Sequence, residues 1–279
     1  MEKPLFDSQQ PSLVKEQLYG LWQEAFGDSR EFIDAFFAHF PCDECAHTLS
    51  VDGKVVAALY SLPFTLVNDG CELPAAYIYA VATETDSRGR GYMRLLMERV
   101  ERLLHERGVE FLFLLPAGEG LRSAYSRLGY EPCSCMKVEE VYPRVCDATG
   151  LFFKEVADAS LLRDFCAAVQ RERGTAVLHS MNSIAMNIYN CASQGGGAFA
   201  LFDGEGFVAV AFAMVVDGAV LVPGLFARSL AAENSLLHSL CVRFGVESLR
   251  VCRTGVGEPY CMGRGPSLRD ADISLMLDK

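Results

Sequence analysis

Apolar residues recur at helical spacing over residues 13–26, where Leu18, Leu21, Trp22 and Ala25 mark one face and Gly27 supplies a stop. Ser29 then has the character of an N-cap for a second helix, whose stripe is Phe32, Ile33, Phe36, Phe37 and Phe40. After this the period changes to two. Residues 48–51, the Asp52-Gly53 turn and residues 55–66 predict a hairpin, and a turn at Asn68-Asp69-Gly70 leads to a strand over 76–82. Helical period returns at once: Leu96, Val100, Leu103 and Leu104 stand at i, i+4, i+7 and i+8, and Gly108 ends the run. Residues 111–115 are continuously apolar, as in a strand buried on both faces beside a parallel neighbour. Strand, helix and strand together predict a βαβ unit with a right-handed crossover.

A short helix over 121–128 and a strand over 136–142 follow, and then residues 143–150 lose apolar period and hold Pro143, Asp147 and Gly150. We divide the chain there, into residues 1–145 and 150–279. The second half repeats part of the first, since Gly108-Val109-Glu110 and Gly245-Val246-Glu247 each stand between a helix and a short strand. Aligned through that match, Arg88 to Met93 correspond to Leu225, Phe226, Ala227, Arg228, Ser229 and Leu230, with no glycine loop. The second half therefore lacks an obvious phosphate cradle.

With 279 residues, 51% of them hydrophobic, the chain can bury a large core. Its start has no apolar signal region, and its longest apolar run is far short of the roughly 20 residues of a spanning helix, so no membrane role is expected. Eleven scattered cysteines fit free thiols in a reducing cytoplasm. A net charge of −11 argues against a nucleic-acid partner and mildly favours cationic ones.

Between the two periodic segments lies Ser87-Arg88-Gly89-Arg90-Gly91-Tyr92. Glycines at a strand-to-helix turn let backbone approach a ligand, and the N–H groups of the helix start point together with the positive dipole end behind them. That is an anion site, with Arg88, Arg90 and Arg94 adding charge. The spacing fits neither Walker A nor G-x-G-x-x-G.

Val81-Ala82-Thr83, then Arg88-Gly89-Arg90-Gly91, then the Leu96 helix, resembles motif A of the GNAT superfamily of acyl-CoA-dependent N-acyltransferases, Arg/Gln-x-x-Gly-x-Gly/Ala. Arg88 and Gly91 fit its first two places, and Met93 stands where a small residue is usual. Tyr125-Ser126-Arg127-Leu128-Gly129-Tyr130 resembles the family's Tyr-x-x-x-Gly-Phe segment. The resemblance spans roughly residues 12 to 142. The second half is similar in outline to the degenerate second module of tandem relatives such as the enhanced-intracellular-survival acetyltransferases. It implies an α/β (α+β) fold of two modules, each a mixed, largely antiparallel sheet with flanking helices and a splayed parallel strand pair. It further implies that Val81, Ala82 and Thr83 hold the pantetheine arm of acetyl-CoA and that Arg88, Gly89, Arg90, Gly91, Tyr92 and Met93 surround its pyrophosphate. Tyr125 would then act on the leaving thiolate, and no metal is required. The expected acceptor is an amine of a small molecule or peptide. Glu84, Tyr79, the loop carboxylates, the terminal Asp278-Lys279 and a water chain are candidates for taking its proton. Oligomeric state is not legible.

The bland readings are an ordinary turn for Arg88 to Gly91 and a packed tyrosine for Tyr125. His39, Cys42, Cys45 and His47 have the spacing of a zinc site, but the cysteines flank the end of an apolar helix and no second C-x-x-C exists. The phenylalanine stripe reads as core, with one or two rings available to substrate. A protein that binds acyl-CoA as a sensor, without transfer, is the alternative function.

Overall fold

The computed structural model describes residues 5–7, 14–145 and 150–276. These form two compact units, each drawn from discontinuous stretches of chain. Among the described residues no helix is long and apolar enough to cross a membrane.

Unit 1 comprises the chain up to Thr65, Leu73–Pro132 and Cys261–Ser267. Its elements in chain order are β1 (Leu5–Asp7), α1 (Lys15–Phe26), α2 (Arg30–His39), α3 (Cys42–Cys45), β2 (Ala46–Val51), β3 (Lys54–Asn68), β4 (Cys71–Thr83), α4 (Tyr92–Glu106), β5 (Phe111–Leu114), α5 (Glu119–Ser126) and β6 (Glu131–Pro132). Ser29 caps α2 as its position demands, accepting from the Phe32 N–H at 3.2 Å. The sheet order is β1-β2-β3-β4-β5-β15-β6, where β15 (Met262–Arg264) comes from the far end of the chain. Within that path β4 and β5 run parallel, while β1 with β2, β2 with β3, β5 with β15 and β15 with β6 are antiparallel.

Period-two alternation gives the unit two apolar faces. Leu59, Ala76, Ile78, Leu112 and Leu114 pack with Leu96, Met97, Val100 and Leu104 of α4. Tyr60 and Tyr79 turn the other way, and Trp22 of α1 and Phe36 of α2 stack among them with ring centroids 4.8–5.8 Å apart. Phe32, Ile33, Phe36, Phe37 and Phe40 are all buried, as a core stripe requires. Helix α5 begins two residues before the sequence expectation and ends earlier, because the chain turns back at Tyr125, whose carbonyl accepts from Leu128 and Tyr130.

Unit 2 comprises Leu66–Glu72, Cys133–Tyr260 and the chain from Leu268 onward. Its further elements are β7 (Cys135–Val141), β8 (Phe152–Glu155), α6 (Ala159–Arg173), β9 (Ala176–His179), α7 (Met181–Ser193), β10 (Gly197–Phe202), β11 (Phe207–Val216), β12 (Ala219–Ala227), α8 (Leu230–Phe244), β13 (Leu249–Thr254) and β14 (Glu258–Pro259). The order is β14-β7-β13-β12-β11-β10-β8, with β12 and β13 parallel. Strand β9 pairs with β3, and Val67 shares an apolar cluster with Ala176 and Leu178.

The repeat at Gly108 and Gly245 is a repeat of geometry. Both glycines have positive φ, 84° and 67°, and the next N–H closes the helix in the same way, Val109 onto Leu104 O and Val246 onto Cys241 O at 3.0 Å. Each unit is thus a mixed, largely antiparallel sheet with flanking helices and one parallel pair. The linear division at residues 145–150 does not coincide with the edges of the units. Residues 133–141 supply β7 to unit 2, and β15 returns to unit 1 between β5 and β6. A strand as short as the three residues of β15 carries no periodic signal, so its partners are set by long-range pairing alone.

Candidate active site

The parallel register of β4 and β5 covers Ala75↔Phe111, Ala76↔Leu112 and Tyr77↔Phe113 and then stops. Strand β4 continues to Thr83, and just beyond it Glu84 N–H bonds Val56 O at 2.9 Å. It therefore stays on β3 while parting from β5. Three residues past the last pair, Ala80 holds φ +48°, a left-handed conformation rare outside glycine. The strand bends there, and Val81, Ala82 and Thr83 carry backbone groups with no β5 partner in the ladder. Of their side chains Ala82 is buried, while Val81 packs against the α4 cluster.

After Glu84 a single 3₁₀ turn, Thr85–Ser87, delivers the chain to Arg88. Gly89 and Gly91 have φ +76° and +81°, and a Cβ on either would meet open space. Glycine is needed here for its backbone conformation, and the space above it is free for a ligand. Gly91 is the N-cap of α4, no side chain caps the helix, and its first turn has no acidic residue. The N–H groups of the first turn thus keep their hydrogen-bonding capacity and their positive field. Arg88 and Arg90 are exposed and tie back to the loop, Nε to Thr83 O at 3.1 Å and a guanidinium N–H to Asp86 O at 3.2 Å. Tyr92 and Met93 place half-buried side chains on the α4 cluster, which leaves their amides at the loop. These features suit a diphosphate, and the parted β4 edge suits an extended amide chain.

Tyr125 lies in α5, 4% exposed, in an edge contact with Tyr130 at 6.0 Å. It belongs to the same apolar cluster as Leu114, Val81, Tyr92 and Met93, so helix, loop and strand ends converge. Burial pushes its hydroxyl up to about 12, which keeps it a proton donor at neutral pH.

The proposed bases fare unequally. Hydrogen bonds from Lys54 and Ser87 hold the Glu84 carboxyl below its usual range, which makes it a weak base. Tyr79 is buried among Trp22, Phe36 and Tyr77. Asp278 and Lys279 lie outside the described residues. Sequence reading missed the left-handed Ala80 and the anchor of the loop's entrance, where Glu24 accepts from Thr85 N and Oγ1 at 2.9 and 2.5 Å. Neither residue type carries a signal of those roles.

The zinc spacing has a different environment. His47 Nε2 sits 2.8 Å from Ser61 Oγ, burial lowers this imidazole to about 4, and burial raises the Cys42 thiol to about 11. Among the described residues no group of three or more His, Cys, Asp or Glu side chains is placed to hold a metal.

Residues 14–133 match the family model described as an acetyltransferase (GNAT) domain. No curated protein matches the chain. Among solved structures, a probable N-acyltransferase of Enterococcus faecalis has a TM-score of 0.76 at 17% identity, over 95% of this chain and 73% of that one. A GCN5-related N-acetyltransferase of Kribbella flavida gives 0.75 at 17%, over 94% and 71%. Eis1 of Mycobacterium abscessus gives 0.67 at 15%, over 94% and 73%. At these identities the likeness is one of fold, and it extends through both modules. Residues 14–133 thus carry the match to a GNAT acetyltransferase domain, and acyl transfer is the activity that this match supports.

Proposed function

We propose that this acyltransferase moves an acetyl group from acetyl-CoA directly to a primary amine of a small molecule or peptide. The observation that carries this reading is the N-terminus of α4, led by glycine and free of caps and acids, at the end of a β4 edge that β5 has left. The amides around Gly89 to Met93, with Arg88 and Arg90, hold the pyrophosphate. The free edge at Val81 to Thr83 holds the pantetheine and donates to the thioester oxygen as negative charge develops there.

The amine nitrogen bonds to the thioester carbonyl carbon, the C–S bond breaks, and the amine gives up a proton to water. Tyr125 donates a hydrogen bond to the departing sulfur. Full transfer of its proton is uphill on resting values, since a thiol titrates near 8.5 and this phenol at about 12. The ten described cysteines are free thiols, which supports a reducing cytoplasmic setting.

Steady-state kinetics of Tyr125→Phe test the assignment. We expect kcat to fall about 10- to 100-fold while acetyl-CoA affinity changes by less than about twofold. An unchanged kcat removes Tyr125 from the mechanism, and absence of thiol release across a broad amine panel favours the sensor.

A further inference from the structure

Unit 2 repeats the parting of a parallel strand pair. Strands β12 and β13 are in register only at Leu221↔Arg250 and Val222↔Val251. Beyond this β12 follows β11 as far as Ala227↔Ala209, and β13 follows β7 as far as Thr254↔Met136. A notch opens between them. In unit 1 the matching notch is where we place the pantetheine, and the comparison rests on that reading.

The notch of unit 2 holds the chain's own residues 270–276. Ser274 Oγ donates to Pro223 O of β12 at 3.0 Å, and Thr254 Oγ1 of β13 donates to Asp272 Oδ1 at 2.5 Å. The segment therefore touches both parted strands. Arg173 joins them, with one guanidinium N–H on Asp272 Oδ2 and another on Leu225 O, both at 3.1 Å. The backbone pairs at Asp272, in a parallel bridge to Ala176, with Asp272 N to Thr175 O at 2.9 Å and Val177 N to Asp272 O at 3.0 Å. Asn190 Nδ2 donates to Met276 O at 3.0 Å. Met276 is fully buried beside Phe212 and Phe226. A Cβ at Gly224 would stand 2.4 Å from Met276 Sδ, so a side chain at this place in β12 would displace the Met276 thioether.

The phosphate end of the site is also closed. Ser229 caps α8, its Oγ accepting from Ala232 N at 3.1 Å, and Glu233 lies in the first turn. Side-chain oxygen and carboxylate occupy the positive end that α4 leaves free.

We propose that residues 270–276 are a built-in peptide ligand of unit 2, filling the groove that unit 1 offers to acyl-CoA. The chain then has one cosubstrate site, and its C-terminal segment is a structural part of the second module.

Hydrogen exchange on the full chain tests this, comparing wild type with Gly224→Leu, which sets a side chain against Met276, and with the milder Met276→Ala. In the wild type the amides of Ala271 and Asp272 exchange slowly, with the unit 2 core. In the variants they exchange about tenfold faster or more, while α4 is unchanged. Tail amides that exchange at free-chain rates in the wild type, or at wild-type rates in both variants, overturn the proposal. If Gly224→Leu unfolds unit 2, Met276→Ala decides. Acetyl-CoA titration adds a second arm, with one equivalent expected per chain and none in Gly91→Glu. Two equivalents in the wild type, with one remaining in Gly91→Glu, overturn it. No binding by the wild type defeats the reading of unit 1, and the exchange arm then decides the tail alone.

Discussion

Ala80 sets the direction of the β4 edge by holding a left-handed conformation inside a strand. An alanine there costs about 1 kcal/mol, and a β-branched residue more. Ala80→Val is expected to lower stability by about 1–3 kcal/mol in urea unfolding, and Ala80→Gly to be neutral or slightly stabilising. Wild-type stability in Ala80→Val would contradict the strain. His47 and His179 are both buried and held neutral, each lowered from 6.5 to about 4 by burial. The unfolded chain binds these protons first as pH falls, so their contribution is full above about 6.5 and is lost between 6.5 and about 4. The melting temperature should fall across that window, and the double variant His47→Gln/His179→Gln should flatten the fall. An unaltered slope would rule the two imidazoles out. Ser29 as a helix cap and Gly91 as a helix start were legible, because those places follow from residue type and position. Ala80 was not, because its conformation comes from the strand pairing around it and from nothing in the side chain.

Helices and long strands were read from period alone, since α1, α2, α4 and β3 bury the faces that their apolar spacing marks. The three residues of β15 were not, and their place between β5 and β6 follows from backbone pairing to Leu112–Leu114 and to Glu131–Pro132. Adjacency in sequence, the usual guide to adjacency in a sheet, fails here because β7 leaves for the other unit. Unit 1 thus depends on a strand encoded more than a hundred residues away, with Met262 wholly buried in its α4 cluster. Residues 1–145 produced alone are expected to lack a cooperative thermal transition. A cooperative unfolding curve at the full chain's melting temperature would show that β15 is dispensable.

Across the whole molecule the two modules share a plan and differ at the positions where we propose that ligand binds. One carries an open helix start and an open strand edge. The other carries a capped helix and a filled notch. The −11 charge of the chain suits a cationic acceptor, while the positive end of α4 and its arginines suit an anionic donor. Calorimetric titration of acetyl-CoA into the wild type and into Gly91→Glu, with folding checked by circular dichroism, tests the assignment of that loop. Gly91→Glu places a side chain in a left-handed position and a carboxylate over the helix start. Micromolar binding by the wild type and none by the folded variant is the predicted result. Equal binding by both, or none by the wild type, would mean that the loop from Arg88 to Gly91 only turns the chain.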